Sequence, residues 1–376
     1  MTDTSHLTIL AAPSRYVQGP GAIDALGEMV RALGGSAVVL ADELVWSIVA
    51  DRVTESLGSA GVAFQHVPFS GECTDGQIQN GVTAAQELSA TVVVGIGGGK
   101  VADTAKSVGA SLGARWACVV TSASSDGPAS SASVIYSEAG EVVRYDFHGK
   151  NPDLVLVDSE IVAKAPSRLL ASGMGDAVST RWEARAAAAR LTPTVAGGRP
   201  SAAALALAEL AWVNCRDHGE AALDSVDRGV VTPALELIIE TNTVHSCIGF
   251  ESGGFSGAHS IHNGLSELPE VHGALHGEKV NFGVVAQLVL EGAPAAELEE
   301  YAAFSDRMGL PLTLAELGLV SPTPDQVQRA ADVATSGGES IHWMPRPVTA
   351  VDVAAAIAVA DQFGTRWRDN HARREL

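Results

Sequence analysis

In the first half of the chain, short uninterrupted apolar runs alternate with longer stretches of helical periodicity, such as Ala22–Leu33 and Gln77–Leu88. The apolar runs are the predicted strands: Ser36–Ala41, Val62–Val67, Thr91–Ile96, Trp116–Val120 and Asp153–Val157. Continuous apolar strands separated by helices are typical of a parallel sheet covered on both faces. We therefore predict an α/β domain over residues 1–166.

The pattern changes after about Pro166, where Ala-rich helical stretches replace the apolar runs. The predicted helices are Ala171–Ala189, Ser201–His218, Pro233–Thr243, Lys279–Glu291, Pro294–Arg307 and Val351–Phe363. The fold class is thus α/β plus all-α, with a helical domain over residues 167–376. No Gly/Ser-rich or Pro-rich linker separates the domains, so we expect them to pack directly and to bind a ligand in the cleft.

Composition narrows the class of protein. The 376 residues are 46% hydrophobic and 18% charged, with a formal net charge of −20. Nucleic acids and anionic membranes preferentially bind basic proteins, so we expect neither as a partner. No apolar stretch reaches the roughly 20 residues of a membrane span, and no signal peptide is visible. Four scattered cysteines without Cys-x-x-Cys spacing favour reduced thiols and a cytoplasmic location (Cys73, Cys118, Cys215, Cys247).

A glycine-rich loop, Gly95–Lys100, follows a predicted buried strand and opens a helix. Glycines let backbone N–H groups approach a phosphate, and a helix N-terminus favours its negative charge. The spacing differs from the usual dinucleotide fingerprint, and Val101 stands where a nucleotide triphosphatase loop has Ser or Thr. A tight turn alone needs fewer glycines, so we predict that this loop binds a phosphate.

Two acidic residues near this loop are further cofactor candidates. Asp103 lies three residues before Lys106 on the following helix, where the pair could equally be a surface ion pair. Asp42 ends the first predicted strand, where an acid can bind ribose hydroxyls and favour NAD over NADP.

The turn Thr121–Ser130 follows another predicted strand and is rich in serine. Strand ends line the ligand crevice of a parallel sheet. Small hydroxyls such as Ser124 could bind a cofactor amide or phosphate there, and Asp126 could accept a hydrogen bond from a substrate hydroxyl. The alternative is an ordinary polar loop with an Asp-Gly turn.

Four of the chain's eleven histidines fall between His259 and His276 (His259, His262, His272, His276). Imidazole nitrogens suit zinc, and a catalytic zinc has three protein ligands and one open position. Asp176, in a Gly-Met-Gly-Asp segment, would add a carboxylate oxygen. Clustered histidines can instead cap helices, and spacing does not decide which two would bind a metal.

Together these segments resemble the glycerol dehydrogenase group of the iron-containing, metal-dependent alcohol dehydrogenase superfamily over nearly the whole chain. The segments that carry the resemblance are Arg15–Gly19, Gly71–Cys73, Gly97–Lys100 with Asp103 and Lys106, Asn151–Asp158, Gly173–Ala177, Val231–Glu236, Gly249–Gly254, His262–Gly264 and His276–Val280. The resemblance implies a dehydroquinate synthase-like fold, in which a Rossmann-like NAD-binding domain precedes a helical metal domain. It also implies a homo-oligomer, often an octamer.

Residue roles follow from the resemblance by position. It implies NAD as cofactor, and zinc on Asp176, His259 and His276, with iron the other metal that suits these ligands. His262 is then a proton-relay candidate, and Asp126 falls at the family's substrate-contacting aspartate. The positions that match NAD-contacting residues of the family are Asp42, Gly98, Gly99, Lys100, Thr121, Ser130, Ala132 and Tyr136.

The sequence departs from the family near the expected substrate. Ala129 and Ala132 stand where the glycerol dehydrogenases usually carry Cys and Leu, so side-chain volume is lost. We predict NAD- and metal-dependent oxidation of a secondary alcohol of a polyol resembling glycerol, or the reverse reaction on a hydroxyketone. The alternatives are a bulkier cyclitol or glycerol phosphate as substrate, a dehydroquinate synthase-like cyclase, and a non-catalytic NAD-binding protein.

Overall fold

The computed structural model describes Thr4 and residues 6–372, and these form two compact units. The sheet unit comprises residues 11–170 and 221–247, and the helical unit comprises residues 171–220, the chain from 248 onwards and the described part of 1–10. The division at Leu170–Ala171 lies close to the boundary predicted at 166/167. Residues 221–247, however, belong to the sheet unit although they were assigned to the helical domain.

The sheet unit contains six parallel strands in the order β1-β8-β5-β4-β2-β3. The strands are β1 (Tyr16–Gly19), β2 (Ser36–Asp42), β3 (Ala63–Phe69), β4 (Val92–Gly97), β5 (Arg115–Val120) and β8 (Leu154–Asp158). The five predicted runs all form strands, with ends shifted by one or two residues. The predicted α/β plus all-α fold class is confirmed.

Helices cover both faces of this sheet, as the uninterrupted apolar strands require. They are α1 (Leu26–Leu33), α2 (Glu43–Ser59), α3 (Asp75–Leu88), α4 (Gly99–Leu112), the short α5 (Ser159–Val162) and α8 (Pro233–Glu240). Successive β2 side chains point to opposite faces: Val39 packs in one apolar cluster with Leu26 and Val53, and Leu40 in another with Val108. Both clusters exclude water, so the strands are buried on both sides.

Two further strands form an antiparallel hairpin outside the main sheet. They are β6 (Ala132–Tyr136) and β7 (Val142–Phe147), with Ala132 opposite Phe147 and Val134 opposite Tyr145. The hairpin is not among the predicted strands. Its second strand mixes Arg and Asp with apolar residues and is largely exposed, so the burial signal that marks the other strands is weak here.

The helical unit is built from helices, of which the three longest are rich in alanine. The helices are α6 (Ser167–Arg190), α7 (Ala202–Asp227), α9 (Ser246–Gly253), α10 (Gly257–Ser266), α11 (His276–Glu291), α12 (Ala295–Arg307), α13 (Pro324–Ala334) and α14 (Ala350–Ala372), of which α6, α7 and α9 each extend into the sheet unit. Trp182 packs edge-on against Trp212 and Tyr301, with ring centroids 5.0 and 4.9 Å away. These buried rings connect α6, α7 and α12 in one core.

A π-helical turn, Thr241–His245, joins α8 to α9, so the predicted helix Pro233–Thr243 runs on without a break. Asn242 lies in this turn, fully buried, and donates to the carbonyl oxygens of Ala123 and Leu170 at 2.9 and 3.1 Å. The extra residue of a π turn re-aims side chains, and such turns are frequent at functional sites. Among the described residues no helix is long and apolar enough to span a membrane.

Candidate functional site

Three predicted metal ligands come together in the helical unit. Asp176 lies within α6, His259 within α10, and His276 begins α11. One ligand atom from each side chain lies within 4.8 Å of the others. Asp176 Oδ1 is 3.4 Å from His259 Nε2 and 3.2 Å from His276 Nε2.

Glycine permits this meeting of α6 and α11. A Cβ atom on Gly277, next to His276, would lie 1.8 Å from the backbone oxygen of Ser172. A Cβ on Gly175, next to Asp176, would in turn lie 2.6 Å from the oxygen of Gly277. Both contacts are with backbone, which cannot move aside easily. The two helices therefore touch at paired glycines, and this contact places the Asp176 and His276 side chains side by side.

The electrostatics of the cluster keep the carboxylate charged. Asp176 is 1% exposed, and burial alone would raise its pKa. The charges and hydrogen bonds of His276 and His259 outweigh burial and hold the pKa of Asp176 well below its usual value. Burial would likewise lower the pKa of His259, but Glu183 and Asp176 raise it well above the usual value. The site thus favours positive charge beside a fixed anion.

Glu183 is a functional candidate that the sequence prediction missed. It is fully buried, and it accepts from His259 Nδ1 at 2.6 Å and from the backbone N–H groups of Ser256 and His259 at 3.0 Å each. This contact leaves Nε2 of His259 facing Asp176. The available signal was spacing: Glu183 follows Asp176 by seven residues, two turns of the same helix and therefore the same face.

His276 has its own chain of partners. Its Nδ1 lies 3.1 Å from His262 Nε2, and His262 Nδ1 lies 3.0 Å from the side-chain oxygen of Asn263. Asn263 donates to Glu339 at 3.0 and 3.3 Å. Both ring nitrogens of His262 are therefore committed to neighbours. The fourth clustered histidine, His272, faces the backbone oxygen of Ser266 instead.

These donors fit one metal ion of the zinc or iron type. Two imidazole nitrogens and one carboxylate oxygen form the three-ligand set of a catalytic site, with the remaining position left for substrate or water. Glu183 and His262 satisfy the second nitrogen of each ligating ring, as metal-binding histidines usually require. The His276 side chain is 42% exposed, so small molecules can reach the cluster.

The glycine loop lies in the sheet unit, where β4 ends and α4 begins. Gly98 is the N-cap of α4, and Gly97 has φ = 158°. A cavity of about 380 Å³ opens beside the loop. Its lining includes five predicted cofactor residues, Asp42, Gly98, Gly99, Lys100 and Ser124, together with Phe69, Gly71 and Val101.

Two charged residues of this cavity have protein partners. Asp42 caps α2, with one carboxylate oxygen accepting from Val45 N at 2.8 Å. Lys100 forms an ion pair with Glu72. Asp42 is therefore held in place at the cavity by its own helix.

Lys106 and Asp103 are buried, so the surface ion pair considered from the sequence is not what forms. Lys106 is fully buried and binds Asp103 at 2.9 Å. Its ammonium also donates to Gly127 O at 2.8 Å and to Ala132 O. Asp103 accepts from Val134 N at 2.9 Å. The pair therefore ties the serine-rich turn and β6 to α4, which gives Asp103 a structural role whether or not it contacts a cofactor.

The remaining predicted residues lie on or near this turn. Thr121 donates its backbone N–H to Gly97 O at 3.2 Å, and Tyr136 donates its own to Cys73 O at 2.8 Å. Ser130 lies 3.4 Å from the Lys106 ammonium. Asp126 is 9% exposed and accepts from the buried Ser246 hydroxyl at 2.5 Å. Ser246, just after the π turn, thus fixes the predicted substrate-contacting carboxylate and was not predicted.

Comparisons with known proteins identify the family of this chain. The family model for iron-containing alcohol dehydrogenases matches residues 17–166. A glycerol dehydrogenase from Escherichia coli O6:H1 is 44% identical over 359 residues, which cover 96% of this chain and 98% of the relative. The chain belongs to the iron-containing alcohol dehydrogenase family. The recognition made from the sequence is confirmed.

Two more members of this family show how far the likeness extends. A glycolaldehyde reductase from Halobacterium salinarum is 43% identical over 362 residues, covering 96% of this chain and 99% of its own. The crystal structure of glycerol dehydrogenase from Schizosaccharomyces pombe matches with a TM-score of 0.95 at 34% identity, covering 99% of this chain and 95% of that chain. The protein is an oxidoreductase, as predicted ahead of the cyclase and non-catalytic alternatives. Family membership and the donor cluster support NAD and a metal as cofactors.

Proposed function

We propose that this enzyme oxidises a secondary alcohol of a small polyol to the ketone with NAD, and catalyses the reverse reduction. The observation that carries the proposal is the cluster of Asp176, His259 and His276, whose ligand atoms lie within 4.8 Å of one another. The 44% identity to a glycerol dehydrogenase across 96% of the chain supports a glycerol-like 1,2-diol as substrate.

We assign zinc to this cluster, held by Asp176 Oδ1, His259 Nε2 and His276 Nε2. When bound, a zinc ion supplies Lewis acidity that polarises the substrate oxygen and lowers the pKa of the alcohol. Two neutral imidazoles and one buried carboxylate leave a net positive centre, which suits the charge that develops on that oxygen.

The neighbours of the two histidines orient them. Glu183 accepts the Nδ1 proton of His259, which fixes the tautomer and presents Nε2. His276 would donate its Nδ1–H to His262 Nε2, and His262 would donate its own Nδ1–H to the side-chain oxygen of Asn263. Because both nitrogens of His262 are committed, its contacts favour a positioning role over direct proton relay from substrate.

The cofactor residues would act mainly through backbone. Gly98 and Gly99 present N–H groups at the start of α4, where the helix N-terminus favours the pyrophosphate charge. Asp42 lines the same cavity and would bind the adenosine ribose hydroxyls while disfavouring a 2′-phosphate. Lys100 is a cation beside the loop that would add attraction for phosphate.

The Asp126–Ser133 segment bears on the size of the substrate that the enzyme accepts. Ala129 is fully buried, and its oxygen accepts from Asn151 at 3.0 Å. The smaller volume of Ala129, compared with the Cys usual in the family, therefore concerns packing inside the protein. Ala132 is only partly buried, so the change from Leu to Ala there is the better candidate for accepting a bulkier polyol or cyclitol. Asp126, held by Ser246, would accept a hydrogen bond from a substrate hydroxyl.

A second candidate reaction is reduction of a small hydroxyaldehyde or hydroxyketone. The glycolaldehyde reductase relative is 43% identical over 96% of this chain, nearly the same likeness as the glycerol dehydrogenase. Both reactions place a hydroxyl next to the reacting carbon and need the same residues. They run in opposite directions with the two redox forms of the cofactor, and the substrate with the higher kcat/KM distinguishes them.

The test is a substrate panel followed by NADH absorbance, on chelator-treated protein with and without added zinc. Glycerol, 1,2-propanediol, dihydroxyacetone, glycolaldehyde, a cyclitol and glycerol phosphate form the panel. We expect turnover of the 1,2-diols with NAD only after zinc is restored. Undiminished turnover by metal-free protein would refute the metal role, and preference for glycerol phosphate would refute the neutral-polyol assignment.

A further inference from the structure

The polar chain that starts at His276 ends in a carboxylate. His276 Nδ1 contacts His262 Nε2 at 3.1 Å, and His262 Nδ1 contacts the side-chain oxygen of Asn263 at 3.0 Å. The Asn263 amide nitrogen donates to the two carboxylate oxygens of Glu339 at 3.0 and 3.3 Å. The other ligating histidine, His259, contacts its carboxylate directly, whereas two residues stand between His276 and Glu339.

The carboxylate fixes the direction of every hydrogen bond in this chain. An ionised carboxylate only accepts, so Asn263 presents its NH2 group to Glu339 and its oxygen to His262. That oxygen also only accepts, so Nδ1 of His262 carries the proton, and Nε2 of the neutral ring is an acceptor. His276 then donates through its own Nδ1–H, which leaves the lone pair of its Nε2 on the side of Asp176. This is the form of His276 that binds a metal.

The segment after Glu339 is bound to α10, the helix that carries both middle members of the chain. Ser340 donates its hydroxyl to the backbone oxygen of Ser256, the N-cap of α10, at 2.7 Å. Ile341 donates its backbone N–H to the Ser260 hydroxyl on α10 at 2.8 Å. Glu339 is itself partly buried. These two bonds therefore hold its carboxylate beside the helix.

Asn263 stops protons from passing along the chain. Side-chain amides are not among the groups that accept and release protons in catalysis. A proton on His262 therefore cannot be transferred through Asn263 to Glu339. The chain holds a direction without conducting protons, so its effect must be on how His276 binds a metal.

We propose that Asn263 and Glu339 are positioning residues of the metal cluster, which keep His276 in the form whose Nε2 binds the ion. The inference rests on the proposed metal site and adds two residues that act on it through His262. Without an acceptor at position 263, His262 would carry its proton on Nε2 and direct it at His276. The proton of His276 would then lie on Nε2, and both rings would have to change form before zinc could bind.

Asn263→Leu tests the acceptor. Leucine has similar branching but leaves the Nδ1–H of His262 without an acceptor in the zinc-bound protein. Chelator competition in mildly alkaline buffer, where carboxyl groups are ionised, measures the zinc affinity. The zinc dissociation constant should rise roughly 10- to 100-fold, the usual effect of losing an outer partner of a ligating histidine. With zinc in excess, kcat should recover and the substrate KM should not change. Unchanged zinc affinity would refute the proposal.

Exchanging the amide and the carboxylate tests the direction. In the double variant Asn263→Asp with Glu339→Gln, the carboxylate at 263 accepts from His262 and the amide at 339 donates to it, so the direction is kept. The double variant should bind zinc within about threefold of the parent. A purely structural role would not be rescued by this exchange. A double variant that binds zinc no better than Asn263→Leu would overturn the proposal.

Glu267→Gln is the charge control. Glu267 is exposed at the C-cap of α10, so this variant removes one negative charge from the same helix without altering a contact of the chain. It should leave zinc affinity and turnover unchanged. Parent protein that binds no zinc in the same titration would instead refute the proposed metal site, so failure of that site and failure of this inference give different results.

Discussion

The metal cluster of the helical unit is built from side chains, whereas the glycine loop of the sheet unit is built mainly from backbone. The cluster consists of side chains from three helices, with Asp176 and Glu183 exposed by 1% and 0%. The loop consists mainly of backbone at one strand-to-helix junction, beside an open cavity. One site depends on groups far apart in sequence and the other on six consecutive residues.

This difference determines how each site should respond to mutation. A buried side-chain site fails when one polar group is removed, because its partners are left with uncompensated charge. A backbone site has no side chain to remove, and it fails when a side chain is added. Removing a polar side chain should therefore damage the cluster, and adding a side chain at a glycine should damage the loop.

The largest effect is expected at the carboxylate. Asp176→Asn keeps the shape but removes the charge that both histidines face, so we expect metal to be lost and kcat/KM to fall by about 10³-fold. Metal content by plasma mass spectrometry and NADH-linked turnover should fall together. Glu209→Gln, which alters a surface ion pair with Arg181, is the matched control and should change neither. Turnover that survives loss of the metal would refute the assignment of Asp176 as a ligand of a catalytic metal.

The next effect is expected at the buried neighbour of His259. Glu183→Ala should weaken zinc binding roughly 10- to 100-fold, as loss of such partners generally does, while Glu183→Gln should retain part of the affinity. Competition with a chromogenic chelator measures this without turnover. If stability falls but zinc affinity is unchanged, Glu183 supports the fold and does not orient the ligand.

Adding bulk to the loop should give the converse result. A Cβ on Gly98 meets only the Ser122 hydroxyl, at 3.6 Å, so Gly98→Ala should fold normally yet place a methyl group where the pyrophosphate approaches. We expect the KM for NAD to rise about tenfold with zinc affinity unchanged. Gly35→Ala, with nothing within 4 Å, is the control. Equal loss of zinc affinity in Gly98→Ala would contradict the separation of the two sites.

A smaller effect is expected at Asp42. Asp42→Asn can still cap α2 but carries no charge to repel a 2′-phosphate. The ratio of kcat/KM for NADP to that for NAD should rise severalfold, with the melting temperature nearly unchanged. An unchanged cofactor ratio would remove Asp42 from the cofactor site.

The smallest effect concerns acid stability of the sheet unit. Burial, and then the charge of Lys106, lower the pKa of His148 from 6.5 to about 4. Because the unfolded chain takes up this proton first, the free energy of unfolding should fall as the pH drops from 6.5 towards 4, by roughly 1–2 kcal/mol after allowance for partial exposure. His148→Asn should flatten this decline in urea titrations. A decline of the same size in His148→Asn would assign it to other groups.

The sequence predicted best what depends on local pattern. The strands and the glycine loop were found because burial and glycine spacing are local signals. The ligand pair His259 and His276 was not chosen by spacing, since helix packing through Gly175 and Gly277 decides which histidine meets Asp176. Glu183 was missed because a buried acid reads as an ordinary helix residue until its partners are known. The β6–β7 hairpin was missed because its second strand is exposed and carries no burial pattern.

The π turn at Thr241–His245 sets how this chain tolerates changes in length. A π turn completes one revolution with about one residue more than an α turn, so it absorbs the extra residue without rotating the helix that follows. A single-residue deletion within the turn should therefore leave Ser246 facing Asp126, but Asn242 would lose the direction in which it reaches the carbonyl oxygens of Ala123 and Leu170. Homologous chains that are one residue shorter here can keep the Ser246 and Asp126 contact while they lose the buried amide of Asn242.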